Sequence, residues 1–266
     1  MVEEANLLMP WVCINMKFKT IESGSKGNCS LLLTAKTKFI IDIGITYLKL
    51  KRSLEELNLV PNDFTGILIT HSHTDHIKSL GAIIKYTNLD VYIPLKMYAE
   101  LKEIVPKERV KVLEEKNEVE DLIIEVFPTS HDTKCSVGYL FQNNNKGLVY
   151  ITDTGYINRK ILNKIDNKEI YLIESNHDIE MLMKGPYPDF LKERVKSDYG
   201  HLSNDTTARY LKKLIGKKTK YILLAHISEK NNTYEKILEE MKKNEIDKKA
   251  EIILAKQDEE SPLVEV

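Results

Sequence analysis

Cysteine is scarce in this chain: Cys13, Cys29 and Cys135 are the only three in 266 residues, an odd number without paired spacing. That argues against a disulfide framework and for a reducing, cytoplasmic setting. Long apolar runs are missing as well. Leu7 to Ile14 is partly apolar, but Pro10 interrupts it, Glu3 and Glu4 precede it, and neither a basic leader nor a small-residue cleavage site accompanies it. Neither a signal peptide nor a membrane span is therefore expected. Strong net charge is the third absence. At −1 overall, the chain has no global basic field to draw in nucleic acid, although a local patch is compatible with that balance.

Linkers, low-complexity segments and clear internal repeats are absent too. With 42% hydrophobic and 30% charged residues, the composition is that of an ordinary soluble protein. The length suffices for one large, well-buried α/β domain over residues 1–266. Regular strand-like sequence begins at Met16, which leaves residues 1–15 as a candidate N-terminal extension.

What is present is concentrated in His71-Ser-His73-Thr-Asp75-His76: three imidazoles and a carboxylate within six residues. Gly66 to Thr70 is short, apolar and rich in β-branched residues, which predicts a buried strand. From Asp75 onward Ile77, Leu80, Ile83 and Ile84 recur at helical spacing. The histidines thus occupy a strand-to-helix loop. His71 and His73, two apart in extended chain, point the same way and can grip one ion. Asp75 and His76, at the helix start, can turn toward a second.

Further strands are predicted at Phe18–Glu22, Ser30–Thr34, Phe39–Asp42, Val91–Ile93, Val110–Leu113, Leu122–Phe127, Val137–Gln142, Gly147–Thr152, Glu169–Glu174, Tyr221–Ala225 and Glu251–Leu254. Helices are predicted at Ile45–Leu57, Lys96–Ile104, Asn204–Ile215 and Thr233–Lys243. This alternation points to two mixed sheets packed together and flanked by helices. His131, Asp153 and His226 each follow an apolar strand, where loops gather on one sheet edge. Each alone reads as a strand-end polar group facing water; with the loop cluster they read as a site.

The series His71-x-His73-x-Asp75-His76, His131, Asp153 and His226, with Asp42-Ile-Gly44 upstream, resembles the motif set of the metallo-β-lactamase superfamily and spans most of the chain. The resemblance implies an αββα four-layer sandwich of two mixed β-sheets. It also implies two divalent metal ions (Zn, Mn or Fe), one on His71, His73 and His131, the other on Asp75, His76 and His226. Asp153 would bridge them, and Asp42 would buttress the site without ligating. Gly24-Ser-Lys-Gly-Asn-Cys-Ser30, Glu174-Ser-Asn-His-Asp178, Gly185-Pro-Tyr-Pro188, Leu191-Lys-x-Arg194 and Gly200-His-Leu-Ser-Asn204 resemble the YycJ (WalJ)-type branch, whose members are described as DNA exonucleases. The stretch beginning at Gly200 is also similar to a short His motif of tRNA 3′-end processing enzymes. No Gly-Gly follows His76, unlike many thiolesterases of this fold, and the span from Asp153 to His226 is too short for a large inserted nuclease domain.

The expected activity is metal-dependent phosphodiester hydrolysis by an activated water, as a 5′-to-3′ DNA exonuclease. The alternatives are a phosphodiesterase for small or cyclic nucleotides, an RNase, and a non-catalytic metal-binding regulator. Two divalent ions suit this chemistry because they acidify a water and neutralise phosphoryl charge, and nitrogen and carboxylate donors without thiolate fit Zn²⁺, Mn²⁺ or Fe²⁺. Asp75 is the candidate that both ligates and orients the water. His201, just before a helix whose expected N-cap is Ser203, is the candidate for phosphate contact or general-acid duty. Free N–H groups at that helix start would favour an anion. His177, Arg194, Ser203 and Asn204 are candidate substrate contacts, with Lys192 and Lys196 extending a basic strip from Arg194. Tyr187 and Tyr199 are candidates for stacking on bases. The expected partner is nucleic acid; no membrane and no obligatory protein partner are indicated.

Overall fold

A computed structural model describes residues 15–266. The expectation for an N-terminal extension therefore falls, for residues 1–14, outside the described residues. Met16 already pairs with the C-terminus, exchanging backbone hydrogen bonds of 3.1 and 3.0 Å with Val266.

Among the described residues, fourteen strands form two seven-stranded sheets. The first contains β1 (Lys17–Glu22), β2 (Cys29–Leu33), β3 (Lys38–Ile41), β4 (Gly66–Leu68), β5 (Asp90–Ile93), β6 (Val110–Val112) and β14 (Val264–Glu265), ordered β14-β1-β2-β3-β4-β5-β6. The second contains β7 (Lys116–Val119), β8 (Leu122–Pro128), β9 (Val137–Asn143), β10 (Lys146–Ile151), β11 (Ile170–Glu174), β12 (Tyr221–Ala225) and β13 (Glu251–Leu254), ordered β13-β12-β11-β10-β9-β8-β7. Each sheet begins as an antiparallel meander and ends in parallel strands, β3 to β6 in one and β10 to β13 in the other. The duplication that the sequence hides is thus visible in the topology.

Helices cover the outer faces. On the first sheet lie α1 (Tyr47–Glu56), α2 (Thr74–Ile77), α3 (Leu80–Tyr86) and α4 (Leu95–Leu101), which bury Leu50, Leu54, Ile83, Met97 and Leu101. On the second, α5 (Arg159–Lys164), α8 (Asn204–Leu214) and α9 (Tyr234–Lys243) bury Ile161, Leu211, Leu214, Ile237 and Met241. Between the sheets Phe18 meets Tyr150 edge to face, centroids 6.2 Å apart, among Phe39, Tyr139 and Phe141. Each such side chain, fully removed from water, contributes roughly 2–3 kcal/mol. The architecture is the α/β/β/α sandwich expected.

Three differences from expectation have local causes. β4 stops at Leu68, not Thr70, because the Thr70 N–H donates to the Asp42 carboxylate (2.8 Å) instead of continuing the ladder. The helix expected from Asp75 breaks into α2 and α3. The Ile43 N–H takes the His76 carbonyl (2.7 Å) and the Ile43 carbonyl accepts from Ser79 (3.0 Å), so a second chain is wedged into the helix. Gly44 allows this wedge, since a Cβ there would fall 1.6 Å from the Asp75 carbonyl oxygen. Finally β7, α5, α6 (Ile179–Lys184), α7 (Asp189–Lys196) and β14 had no sequence expectation. β7 is a polar edge strand, Lys-Asn-Glu-Val, of the kind that deters edge pairing. α6 and α7 are short, and α7 is mostly exposed.

Candidate metal centre

Three residues of the expected site stand within two residues of a strand end with left-handed backbone: Asp42 directly after β3 (φ 59°), Asp153 two residues after β10 (φ 51°) and His226 directly after β12 (φ 53°). Such geometry is unfavourable for non-glycine residues, by about 1 kcal/mol or more each, and persists only where surroundings impose it. The surroundings are visible. Asp42 Oδ1 accepts from Thr70 N (2.8 Å), and Oδ2 accepts from Thr70 Oγ1 (2.9 Å) and His76 Nδ1 (2.8 Å). The His226 N–H donates to Ser23 Oγ (2.9 Å), and its carbonyl accepts from Asn176 Nδ2 (2.9 Å). These turns aim three side chains from different strands toward the His71–His76 loop.

Four overlapping groups result: His71, His73 and His131; Asp75, His76 and His226; His71, His76 and Asp153; and Asp153, Glu174, His201 and His226. In each group one donor atom per residue lies within 4.8 Å of the others. The spacings are informative. His73 Nδ1 and His131 Nε2 are 3.3 Å apart, His76 Nε2 and Asp153 Oδ2 3.3 Å, His226 Nε2 and Asp153 Oδ1 3.4 Å, and His76 Nε2 and Asp75 Oδ2 3.5 Å. These exceed good hydrogen bonds, yet donors about 2.0–2.1 Å from a common tetrahedral ion lie about 3.3 Å from one another. His71 Nε2, His226 Nε2 and Asp153 Oδ2 are buried with no hydrogen-bond partner among the described residues. Buried imidazole and carboxylate donors left unpaired and facing one another are the donor set that divalent metals take, so these residues fit such ions.

The backs of three rings are tied down. Asp42 and Glu174 can only accept as carboxylates, so His76 donates to Asp42 and both His201 (2.6 Å) and His226 (3.1 Å) donate to Glu174, each from Nδ1. Every one of these rings therefore turns Nε2 toward the centre, the arrangement that orients metal-binding imidazoles. Burial opposes charge on Glu174, but His201 and His226 overcome it and hold its carboxyl at about 2. Burial likewise disfavours protonated His76, yet Asp42 and Asp153 push it up to about 10. His71 is carried well below the usual histidine range, chiefly by burial. Divalent ions entering such a centre would displace the protons held by the raised histidines.

Glu174 was assigned no role from sequence, although it ends the apolar β11 as Asp153 and His226 end theirs. Asn28 was also missed: its Nδ2 lies 3.0 Å from His76 Nε2 and 3.2 Å from Asp75 Oδ2. The close turn at Gly24–Gly27 thus serves to deliver Asn28. Asp132 is a third omission, with Oδ1 3.3 Å from His131 Nε2 and 3.6 Å from His73 Nε2.

The centre opens into a cleft of about 300 Å³ lined by His131, His201 and His226 together with Tyr187, Arg194, Tyr199 and Lys230. The Lys230 ammonium sits 5.8 Å from the Tyr187 ring centroid, and Tyr199 is 65% exposed at the cleft. Arg194 reaches the cleft but is paired with Asp132, its Nε donating at 2.7 Å. Several expected substrate contacts are corrected. His177 is 2% exposed and does not line the cleft; its carbonyl accepts from Asn204 N (2.9 Å). Ser203 caps α8 by accepting from Thr206 N (3.2 Å), and the buried Asn204 side chain bonds Ser175 and Asn232. With these N–H groups engaged, the start of α8 is not the anion site expected there. Lys192 donates to the Met183 carbonyl (2.9 Å) and Lys196 pairs with Glu193 (2.7 Å), so the basic strip does not form.

Two facing mixed sheets with histidines and carboxylates gathered at one edge define a metallo-β-lactamase-type protein. Residues 37–227 match the beta-lactamase superfamily domain, and the chain belongs to that family. Within it, the chain belongs with the WalJ/YycJ proteins. It is 36% identical to exodeoxyribonuclease WalJ of Streptococcus pneumoniae, covering 84% of this chain and 85% of that one. It is likewise 36% identical to exodeoxyribonuclease YycJ of Bacillus anthracis, covering 84% and 86%. Among solved structures, the metallo-beta-lactamase fold protein YhfI of Bacillus subtilis superposes with a TM-score of 0.72 at 18% identity, over 95% of this chain and 100% of that one. No helix among the described residues is long and apolar enough to cross a membrane.

Proposed function

We propose that this protein is a metal-dependent DNA exonuclease working as one domain, with 5′-to-3′ polarity as the specific expectation. The observation that carries the reading is the convergence of seven side chains, His71, His73, Asp75, His76, His131, Asp153 and His226, with unpaired donors facing one another at the floor of an Arg- and Tyr-lined cleft. The names of its 36%-identical relatives support DNA as substrate. In this reading His71, His73 and His131 would hold one divalent ion and Asp75, His76 and His226 a second, with Asp153 a donor shared by both; Zn, Mn and Fe all suit these donors. Cytoplasmic location accompanies this reading, where Cys29 and Cys135 stay as free thiols.

When bound, the ions acidify a water and offset the charge that builds on phosphoryl oxygens. The protein's own groups do the rest. Asp75, 24% exposed at its side chain and beside His76 and His226, accepts a hydrogen bond from the attacking water and fixes its direction. His201, held by Glu174 through Nδ1, presents Nε2 to the cleft and delivers a proton to the departing oxygen. Arg194 exchanges Asp132 for a substrate phosphate, and Tyr199 offers a face on which a terminal base stacks.

The test compares end-labelled single- and double-stranded DNA, RNA and bis(p-nitrophenyl) phosphate across several metals. Shortening of DNA from its 5′ end is the expected result. Faster turnover of the small ester than of every polymer would reject the nuclease in favour of a small-molecule phosphodiesterase.

A further inference from the structure

The most exposed large apolar side chain among the described residues is Phe190, at 75%. It stands on α7, three residues after Tyr187 and four before Arg194, and both of those line the metal cleft. Residues four apart on a helix are neighbours on its surface. Phe190 and Arg194 therefore share a stripe, while the buried Val195 and the half-buried Leu191 carry the inward side of α7. Phe190 contributes little to that packing. It lies just outside the rim, where the cleft wall of Tyr187 and Arg194 continues onto the surface of the helix.

Charge does not account for this surface. Along α7, Lys192 lies 3.9 Å from Asp189 and donates to the Met183 carbonyl, Lys196 pairs with Glu193, and Arg194 pairs with Asp132. What the helix leaves unpaired is an aromatic face. A second such face stands on the cleft wall at Tyr199, 65% exposed. Apolar residues scattered singly over a surface are ordinary, but a bare ring beside an arginine at the mouth of a phosphodiester site is not scattered. Every base offers a π-face to such a ring whatever its sequence, and the arginine takes the phosphate next to it. Four residues of helix rise about 6 Å, a distance within one nucleotide's reach. A small phosphate ester can fill the cleft without arriving at Phe190; a strand with a phosphate on Arg194 brings its next base there.

We propose that Phe190 is a stacking platform for the unpaired base next to the phosphate held by Arg194, on the outer side of the cleft. The inference rests on the nuclease reading and adds the form of its substrate: a strand whose end is single-stranded or frayed, since a base inside a duplex already has both faces covered. Tyr199 takes the terminal base within the cleft, and Phe190 takes a base of the strand that remains. Between them the two rings hold the backbone across the metal centre.

The test uses the metal-loaded protein and its Phe190→Ala, Phe190→Leu and Phe190→Trp variants, all of which change a side chain that the fold barely packs. Substrates are a single-stranded DNA carrying 2-aminopurine or an abasic residue near its 5′ end, one position at a time, and bis(p-nitrophenyl) phosphate. In the alanine and leucine variants KM for the strand rises roughly tenfold, and the quenching of 2-aminopurine at one position is lost. The tryptophan variant behaves as the parent. Salt dependence of strand affinity is the same in all four, because stacking releases no counterions. An abasic residue at the quenched position raises KM in the parent and leaves the alanine variant unchanged. Turnover of the small ester, which does not reach Phe190, stays at the parent level throughout. Unchanged KM for the strand in the alanine variant, where the parent degrades DNA, would overturn the platform, and so would a leucine variant that matches the parent. A parent that self-associates through this face, with an alanine variant that does not by light scattering, would hand Phe190 to a second copy of the chain and overturn it too. A parent that hydrolyses the ester but no polymer removes the nuclease reading, and the platform with it.

Discussion

The two halves of the centre are built differently. Around Asp75, His76 and His226 nearly every ring nitrogen and carboxylate has a buried support: Asp42 and Thr70 behind His76, Glu174, Asn176 and Ser23 behind His226, and Asn28 beside both His76 and Asp75. Around His71, His73 and His131 the support is thin. His71 Nδ1 reaches Thr70 Oγ1 at 3.1 Å, but His131 Nδ1 is buried without a partner among the described residues, and the His73 side chain is 35% exposed with Asp132 as the carboxylate beside it. Preorganised donors lose less on binding than donors that must be gathered, so of the two proposed ions the one on the braced half is predicted to bind more tightly. The open half borders Asp132, which Arg194 holds in turn.

The sharpest way to break this picture is Asp75→Ala. Asp75 belongs to the braced half and its side chain keeps 24% exposure, so its removal takes away a proposed donor and the group proposed to direct the water. Losing several kcal/mol of transition-state stabilisation corresponds to roughly a thousandfold in turnover. Single-turnover DNA hydrolysis, with circular dichroism to verify folding, measures it; undiminished turnover would sink the assignment.

His201→Ala comes next. It removes the proton donor and leaves the proposed ligands, so hydrolysis slows about a hundredfold while metal content stays near the parent value. Metal analysis beside the kinetics separates the possibilities. If metal falls instead, His201 is itself a ligand, and the place given to His226 must be redrawn around the group of Asp153, Glu174, His201 and His226.

A pair of supporting substitutions addresses the asymmetry itself. Asp42→Asn keeps the shape but weakens the acceptor for His76 Nδ1, and it is expected to cost 10- to 100-fold, roughly, in affinity for the tighter ion. Asp132→Asn touches the open half, where affinity changes by a few-fold at most. Competition with a chromophoric chelator reads both. Equal losses, or a larger one from Asp132→Asn, would refute the claim that the halves differ.

The fold was legible because buried strands announce themselves: β12 and β13 have the bounds expected from Tyr221–Ala225 and Glu251–Leu254. The proposed ligands were legible because imidazoles and carboxylates that end apolar strands have few other reasons to be there. Their supports were not. Asn28 and Thr70 act through contacts across the fold, and nothing local distinguishes them from other polar residues in turns. Glu174 obeys the strand-end rule, yet a single glutamate is too common to stand out. The start of α8 misled for the opposite reason. Ser203 announced a helix cap, and capping is what it does, but the N–H groups thought free for phosphate are spent on Ser203 and on the His177 carbonyl. α6 and α7 escaped because short, largely exposed helices carry little apolar periodicity.

The smallest expected effect separates loss of metal from loss of fold as pH falls. His177 belongs to none of the four candidate metal groups; burial lowers it to about 4, and its Nδ1 has no partner among the described residues. In the unfolded chain it titrates near 6.5, so between about 6.5 and 4 the unfolded state binds the extra proton and the folded state loses stability as pH drops. Nothing is lost above about 6.5, and the loss reaches the order of 3 kcal/mol once pH has fallen past about 4. His177→Leu deletes this term and leaves the proposed ligands in place. Denaturant midpoints of parent and variant, both metal-free, should therefore differ by an amount that shifts across this window and is constant outside it. Metal release on acidification, followed separately, should be the same in both. A parent–variant difference that does not vary with pH would mean that His177 is not held neutral by its surroundings. Acid unfolding would then belong to the braced half alone, where the Asp42–His76 and Glu174–His226 pairs are the buried charges to be broken.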